Sequence, residues 1–364
     1  MKKNKALFAI SSLGLGHATR TMVIISHFLK KGYEIDLISF GNALKFLKLE
    51  LKNQKINFIE FTDYPALERG TGWKFYFYLF LDVFKTTILI KKENKFVENI
   101  AKNYDFIFSD GKYGVYSKEV PSFLLNHQLA FVMPKGMGFL QGFTDWLNIK
   151  YIRNFDYLFI PDYENFENSL AGRLSHPNWI NKVNHSYIGI LSSFLDYEKK
   201  QNNKIDYLFT ISGYLHEHKE SFVDKLLEQA KKLNGKKVFI LGNTKNNYKK
   251  ELENDINIYS FLGGEDRKEM FFNAETIISR AGYTTIMDLV ELGKKAILFP
   301  TPNQTEQEYL AIYLKEKNMF VFGEEKDDFK KLIKKTTELS PLDNLKKTEK
   351  SLEIIDKIIF NYIF

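Results

Sequence analysis

One segment near the start of the chain places acid–base residue types on a backbone that can turn sharply. It reads Ser11-Ser12-Leu13-Gly14-Leu15-Gly16-His17-Ala18-Thr19-Arg20 and follows the apolar run at 6–10. Glycines permit tight turns and close approach to a ligand, and a helix beginning there offers free N–H groups. Gly14, Gly16 and Arg20 are therefore read as lining a ligand site. His17 falls at the helix start, where the positive helix end favours the neutral imidazole that suits a general base. A capping or packing histidine explains the same residue. A dinucleotide site is the obvious rival, but Thr19 stands where its third glycine belongs. The second apolar run also ends in Ser39-Phe40-Gly41, with no acid for a ribose.

Asp110 ends the run DFIFSD at 105–110. An imidazole that takes a proton gains from a carboxylate that fixes its tautomer and stabilises the cation. His17 with Asp110 is thus a candidate catalytic dyad. A helix N-cap is the other use of an Asp after a strand. His127 and Gln128 follow the next run and would line the same site, although His127 also fits a hydrogen-bonded structural role.

Two loops in the second half suit a phosphorylated sugar. Ser279-Arg280-Ala281-Gly282-Tyr283-Thr284-Thr285 joins a strand to a helix starting near Tyr283. Hydroxyls, small residues and helix N–H groups make an anion site there, with charge added by Arg280. Asp288, about one turn into the helix, suits ribose hydroxyls. An ordinary strand-to-helix turn is the alternative. The next run leads into Pro300-Thr301-Pro302-Asn303-Gln304-Thr305-Glu306-Gln307-Glu308. Gln304, Glu306, Gln307 and Glu308 supply the paired donors and acceptors that a polyol needs. A solvated polar loop has the same composition. Ser212-Gly213, after the first strand of this half, is a weaker phosphate-facing turn.

The elements that must position these residues are legible as strand-length apolar runs. The first half has them at 6–10, 35–39, 56–61, 105–109, 122–126 and 156–160. The second half has them at 205–211, 237–241, 256–261, 276–280, 296–300 and 319–322. Continuous rather than alternating hydrophobicity means burial on both faces, hence parallel sheets with helices around them. The fold class is α/β, with two doubly wound Rossmann-like domains facing a cleft. Ligands in such sheets sit at the carboxyl ends of the strands, where all the candidate residues fall. The expected domains are 1–194 and 205–341, joined by a polar linker at 195–204. A final amphipathic helix at 342–364, with Leu345, Leu352, Ile355 and Ile359 near one face, is expected to pack back on the first domain.

Composition narrows the class further. The chain has 364 residues, 44% hydrophobic and 27% charged, which fits two globular domains. It has no cysteine, so disulfides, thiolate metal sites and a thiol nucleophile are excluded. The formal net charge is +7, carried almost wholly by lysine. Only six arginines occur, at 20, 69, 153, 173, 267 and 280. Nucleic-acid readers lean on arginine, so no nucleic-acid partner is expected. General enrichment in Lys, Asn, Ile and Phe accounts for the basic balance; an anionic lipid or polyanion is the alternative. No run of about 20 apolar residues exists. Lys2, Lys3 and Lys5 before ALFAISSLGLG imitate a signal peptide, but His17 and Arg20 follow at once and no cleavage pattern appears. A cytoplasmic protein is expected.

The combination of G-x-G-H-x-x-R, SRAGYTT with Asp288, and PTPNQTEQEY resembles the GT-B glycosyltransferases. It is most similar to the MurG-like group that moves N-acetylglucosamine from UDP-GlcNAc, and the resemblance is strongest over 258–315. His17 with Asp110 is also similar to the dyad of plant-type UDP-glycosyltransferases. The resemblance implies that Gly282 to Thr285 bind the diphosphate and Asp288 the ribose. It implies that Gln307 and Glu308 hold the donor sugar. It departs from the MurG-like pattern where Asp288 replaces Glu and Gln307-Glu308 replaces a Gln pair. No D-x-D motif occurs, which fits metal-independent transfer without a cofactor. The expected partners are a nucleotide-sugar donor and an acceptor that is lipid-linked or a cell-envelope glycan, with Gly14, Gly16, Arg20, His127 and Gln128 on the acceptor side. Trp73 to Phe84, dense in aromatics beside Lys85, Lys91 and Lys92, reads either as a membrane-interface segment, with peripheral contact at the inner membrane face, or as a packed core helix. An acceptor-free nucleotide-sugar epimerase and a non-catalytic sugar- or lipid-binding relative are the other functions considered.

Overall fold

The computed structural model describes residues 4–65, 73–130, 138, 141–195, 203–211, 219–243, 248–302, 304–339, 342, 345 and 347–364. They divide into two compact units, Met1–Ser193 with Lys346–Phe364, and Phe194–Leu345.

The N-terminal unit is built on β1 (Lys5–Ile10), β2 (Glu34–Ser39), β3 (Ile56–Glu60), β4 (Phe106–Asp110), β5 (Ser122–Leu125), β6 (Tyr157–Ile160) and β7 (His185–Tyr187). The strand order is β3-β2-β1-β4-β5-β6-β7 and each pairing is parallel. Its helices are α1 (Leu15–Lys30), α2 (Gly41–Glu50), α3 (Trp73–Ile100) and α4 (Gln141–Ile152). The phenylalanines of the apolar runs explain the sheet. Phe8 stacks on Phe108 at 5.3 Å, and Phe159 stacks on Phe108 at 5.9 Å and on Phe123 at 5.7 Å, all fully buried. The order reverses between β1 and β4, and ligands of doubly wound sheets sit beyond the carboxyl ends of the strands at such a reversal. Register places Ile10 opposite Asp110, and the Ser11 N–H donates to the Asp110 carbonyl at 3.0 Å.

The C-terminal unit carries β8 (Ile205–Thr210), β9 (Lys237–Ile240), β10 (Lys249–Leu252), β11 (Ile256–Tyr259), β12 (Ala274–Arg280), β13 (Lys295–Phe299) and β14 (Val321–Phe322). The order is β10-β11-β9-β8-β12-β13-β14, with its own reversal between β8 and β12. β10 alone runs antiparallel among these described strands. The helices are α5 (Lys219–Ala230), α6 (Gly264–Asn273), α7 (Tyr283–Leu292), α8 (Thr305–Glu316) and α9 (Phe329–Thr336).

The last helix, α10 (Thr348–Ile363), belongs to the N-terminal unit. It begins later than the 342–364 read from periodicity, and Leu345 precedes it. Leu352, Ile355 and Ile359 are buried. Thr348 Oγ1 accepts the Ser192 N–H at 2.9 Å, and Asp356 pairs with His27 and Lys31 at 2.8 Å each. β7 and β10 were not read from the sequence. Both are short edge strands, half-buried or exposed, so neither forms a continuous apolar run. Of the expected linker, residues 196–202 lie outside the described residues.

Beneath the β1–α1 loop lies a buried ionic cluster. Lys112, fully buried, stands 3.2 Å from Asp63 and 2.8 Å from Glu93 of α3. Tyr64 donates its hydroxyl to Glu93. Asp63 accepts the Ser11 hydroxyl at 3.2 Å and the Ser12 N–H, which ties the cluster to the loop ahead of His17. Burial alone would push Lys112 toward neutrality, but Glu93 and Asp63 more than restore its charge. Burial pushes Asp63 up, yet Lys112 and the backbone donors of Ser12 and Tyr64 carry it below its ordinary value. Glu93 remains raised by burial, only partly offset by Lys112. Lys112→Met should leave two buried carboxylates without their cation and cost about 3–5 kcal/mol in urea unfolding. An unchanged midpoint would show that the cluster does not hold this part of the fold.

Candidate active site

His17 occupies the third position of α1, whose N-cap is Gly14 at φ 89°. A side chain is strained at that φ, so glycine is required for the turn. No side chain caps this helix end. His17, Arg20 and Thr21 are spaced i, i+3, i+4 and share one helix face. All three meet the carboxylate of Asp110. His17 Nδ1 lies 2.8 Å from Asp110 Oδ1. Arg20 donates from Nε to Asp110 Oδ2 at 2.8 Å, and from a terminal nitrogen to Oδ1. Thr21 Oγ1 donates to Oδ2 at 2.6 Å.

Arg20 is 1% exposed and Asp110 fully buried, whereas the His17 side chain is 21% exposed. The base candidate alone among these three reaches solvent. Burial pushes the Asp110 carboxyl up, but Arg20 and then His17 outweigh it and hold the group well below the usual carboxylate range. An ionised carboxylate only accepts, so the contact to His17 places the proton on Nδ1 and leaves Nε2 to take one. Arg20 also approaches His17 Nδ1 at 3.0 Å, a second donor beside the same nitrogen. Its other terminal nitrogen donates to His127 Nδ1 at 2.9 Å.

His127 therefore stands in this network, buried behind Arg20 rather than open to a ligand. Gln128 is half-buried, and its N–H donates to Asn126 Oδ1 at 3.0 Å. Gly14 and Gly16 shape the turn and first helical residues. Two residues beside His17 were missed in the sequence. Thr21 was legible from its i+4 spacing to His17. Gly111 was legible as the glycine of Asp-Gly after a strand. A Cβ at Gly111 would stand 3.0 Å from His17 Cε1, and its φ is +73°, so glycine admits the imidazole on both counts.

In the C-terminal unit, Gly282 is the N-cap of α7, and no side chain caps that end. Gly282, Thr284 and Thr285 are partly exposed and Ser279 and Tyr283 buried, so the small and hydroxyl residues face outward at the helix start. Arg280 does not stand free beside them. It donates to the Pro300 carbonyl at 3.0 Å, pairs with Glu325 at 3.5 Å and stacks 3.4 Å above the Phe222 ring. Burial lowers its basicity and Glu325 partly restores it. The charge expected at the anion site thus ties the ends of β12 and β13 together. Asp288 is 1% exposed and accepts from Arg267 of α6 at 3.0 Å. The carboxylate expected on a ribose is occupied by Arg267, which no motif pointed to and which lies over Phe271 at 4.5 Å. Gln307 Oε1 accepts the Thr301 N–H at 3.0 Å and hydroxyl at 2.9 Å, and its amide donates to Gln304. These contacts brace the loop ahead of α8. Glu306 is half-buried and Glu308 exposed. Ser212 and Gly213 lie outside the described residues, as does Asn303.

Residues 217–358 match the glycosyltransferase family 28 C-terminal domain, so the second half of the chain carries a glycosyltransferase domain. No curated protein sequence matches the chain. Among solved structures, MurG of Acinetobacter baumannii is similar at 15% identity and a TM-score of 0.56, covering 98% of each chain. The glycosyltransferase SnogD of Streptomyces nogalater is similar at 12% and 0.60, covering 97% of this chain and 99% of its own. Arabidopsis thaliana UGT89C1, complexed with UDP-L-rhamnose, is similar at 10% and 0.59, covering 99% of each. These likenesses show the fold, two Rossmann-like α/β domains of the GT-B type.

Two outcomes test the geometry. Gly111→Ala should displace the His17 ring and strain the turn, destabilising the fold by about 1–2 kcal/mol; an unchanged melting curve would contradict the contact. Because the folded-state pKa of Asp110 is depressed, its stabilisation is present above the unfolded value of about 3.9 and is lost as pH falls below it. Asp110→Asn should therefore weaken the protein at pH 7 and flatten the loss of stability in acid. An acid limb identical to that of the unaltered protein would show that Asp110 is not the group responsible.

Proposed function

We propose that the protein is an inverting, metal-independent glycosyltransferase, similar in chemistry to the MurG-like group. It moves a sugar from a UDP-sugar, UDP-GlcNAc or another UDP-hexose, to an acceptor hydroxyl. The observation that carries this reading is the 2.8 Å contact of His17 Nδ1 with a buried, ionised Asp110, in a chain with a glycosyltransferase domain.

In this reading the acceptor hydroxyl gives its proton to His17 Nε2 as its oxygen attacks the anomeric carbon. The bond from that carbon to the diphosphate oxygen breaks, and UDP leaves with the electron pair. Asp110 holds the tautomer and stabilises the imidazolium. The uncapped start of α7, with Gly282, Thr284 and Thr285, receives the diphosphate charge. Gln304, Glu306, Gln307 and Glu308 hold the donor sugar. Asp288 reaches the ribose only by sharing or exchanging its bond to Arg267.

Exposed apolar side chains support a lipid-linked or cell-envelope acceptor. Phe84 of α3 is 62% exposed and Trp146 of α4 54%, with Phe143 stacked on Trp146 at 6.0 Å and Lys150 at 5.1 Å from its ring. Lys85, Lys91 and Lys92 are exposed on α3. Aromatics beside lysines suit the headgroup boundary of an anionic membrane. The side chains at 73–81 of the aromatic segment lie outside the described ones. Among the described residues no helix is long and apolar enough to cross a membrane. The protein is proposed to work on the cytoplasmic side, in peripheral contact with that surface.

His17→Ala should keep UDP binding by calorimetry and lower transfer by roughly 10²-fold or more. Full activity in the variant would remove the base. UDP should protect residues 279–288 and 304–308 from hydrogen exchange, and EDTA should leave turnover intact. Loss restored by magnesium or manganese would end the metal-independent reading, and conversion of the donor without an acceptor would favour an epimerase. The pair Phe84→Ser and Trp146→Ser should weaken co-sedimentation with anionic vesicles without lowering Tm. Unchanged sedimentation would remove the membrane contact.

A further inference from the structure

Away from the loop residues around His17, α3 carries a further polar pair, Asp82 and Thr86. α3 has 28 residues, about 42 Å, whereas the five residues of β4 span about 17 Å. Its C-terminal part, with Val97 and Ile100, packs against Leu7, Ala9, Ile38 and Ile107 of the sheet. Glu93 meets Lys112, just past the carboxyl end of β4. A Cβ on Gly114 would lie 2.5 Å from the Ile90 carbonyl, so the helix also crosses close to the loop after β4. The residues before Ile90 therefore run on past the carboxyl edge, the side on which Asp110 and His17 stand.

Asp82 and Thr86 lie on that overhang, on the helix face shared with Ile90, Glu93 and Val97. Asp82 is 3% exposed, and its Oδ2 has no hydrogen-bond partner. Thr86 Oγ1, one turn on, has none either. A buried carboxyl oxygen without a donor is costly, and a bound hydroxyl that donates to it would relieve that cost. The adjacent residue ties this stretch to the site. Thr87 Oγ1 lies 2.9 Å from Tyr151 Oη, whose ring is 5.8 Å from that of Tyr113. Tyr113 Oη accepts from Asn126 Nδ2 at 2.9 Å, one residue before His127.

We propose that Asp82 and Thr86 are an acceptor-recognition pair for a sugar or polyol. One acceptor hydroxyl donates to the Asp82 carboxylate, and Thr86 Oγ1 binds a neighbouring hydroxyl. The inference rests on the transferase reading above.

The test is a thermal-shift titration of the unaltered protein, Asp82→Asn and Thr86→Val, with UDP and with a panel of mono- and disaccharides as probes. Asp82→Asn should raise the ligand-free Tm by roughly 2–4 °C, because a buried carboxyl group without a donor is replaced by an amide. It should keep the UDP-induced shift and lose about tenfold or more in affinity for the sugar that stabilises the unaltered protein. Thr86→Val should weaken the same sugar without altering the UDP shift. A lower ligand-free Tm in Asp82→Asn, an unchanged sugar response, or no stabilising sugar in the panel would each overturn the pair. Absence of any UDP shift in the unaltered protein would instead defeat the donor reading, and is thereby distinguishable.

Discussion

The burial of Asp110 with Arg20 is the constraint on which the N-terminal site depends. A carboxylate with no solvent access stays ionised only if donors surround it. Arg20, Thr21 and His17 supply them from one face of α1. The helix can present that face only because Gly14 turns the chain immediately after β1. The carboxylate stands at the right height because β1 and β4 are paired in register at Ile10 and Asp110. A satisfied ion pair, a glycine turn and a strand register thus fix one imidazole at the edge of the sheet.

That arrangement differs from an isolated histidine–carboxylate pair. Arg20 neutralises Asp110, donates to His127 at 2.9 Å and stands 3.0 Å from His17 Nδ1, so one guanidinium lies between two histidines. Lysine cannot replicate a planar fork that holds Asp110 through two nitrogens and His127 through a third. Beneath it, Lys112, Asp63 and Glu93 brace the same loop from the side of α3. The site is held by two buried ionic clusters, one at the base and one under the turn that delivers it.

Much of this was legible in the residues. The long apolar runs are strands because they are buried on both faces, and the doubly wound topology followed from their alternation with helices. His17 and Asp110 were legible because each follows or ends such a run. The short edge strands β7 and β10 were not, since half-covered strands need no continuous apolar sequence. The partners of Arg280 and Asp288 were not legible either. Glu325 and Arg267 lie 45 and 21 residues away along the chain, and only the sheet order and helix packing bring them together. Charged side chains in a loop look available for ligand until their protein partners are known.

The proposed transfer is a single displacement in which His17 takes the proton of the acceptor hydroxyl. The configuration of the first-formed product tests it most directly. Proton NMR of the anomeric signal should be followed during turnover of an α-linked UDP-sugar. The β-linked product should appear first, through one displacement with inversion. An α-linked first product would contradict it, because retention requires a different route at the anomeric carbon.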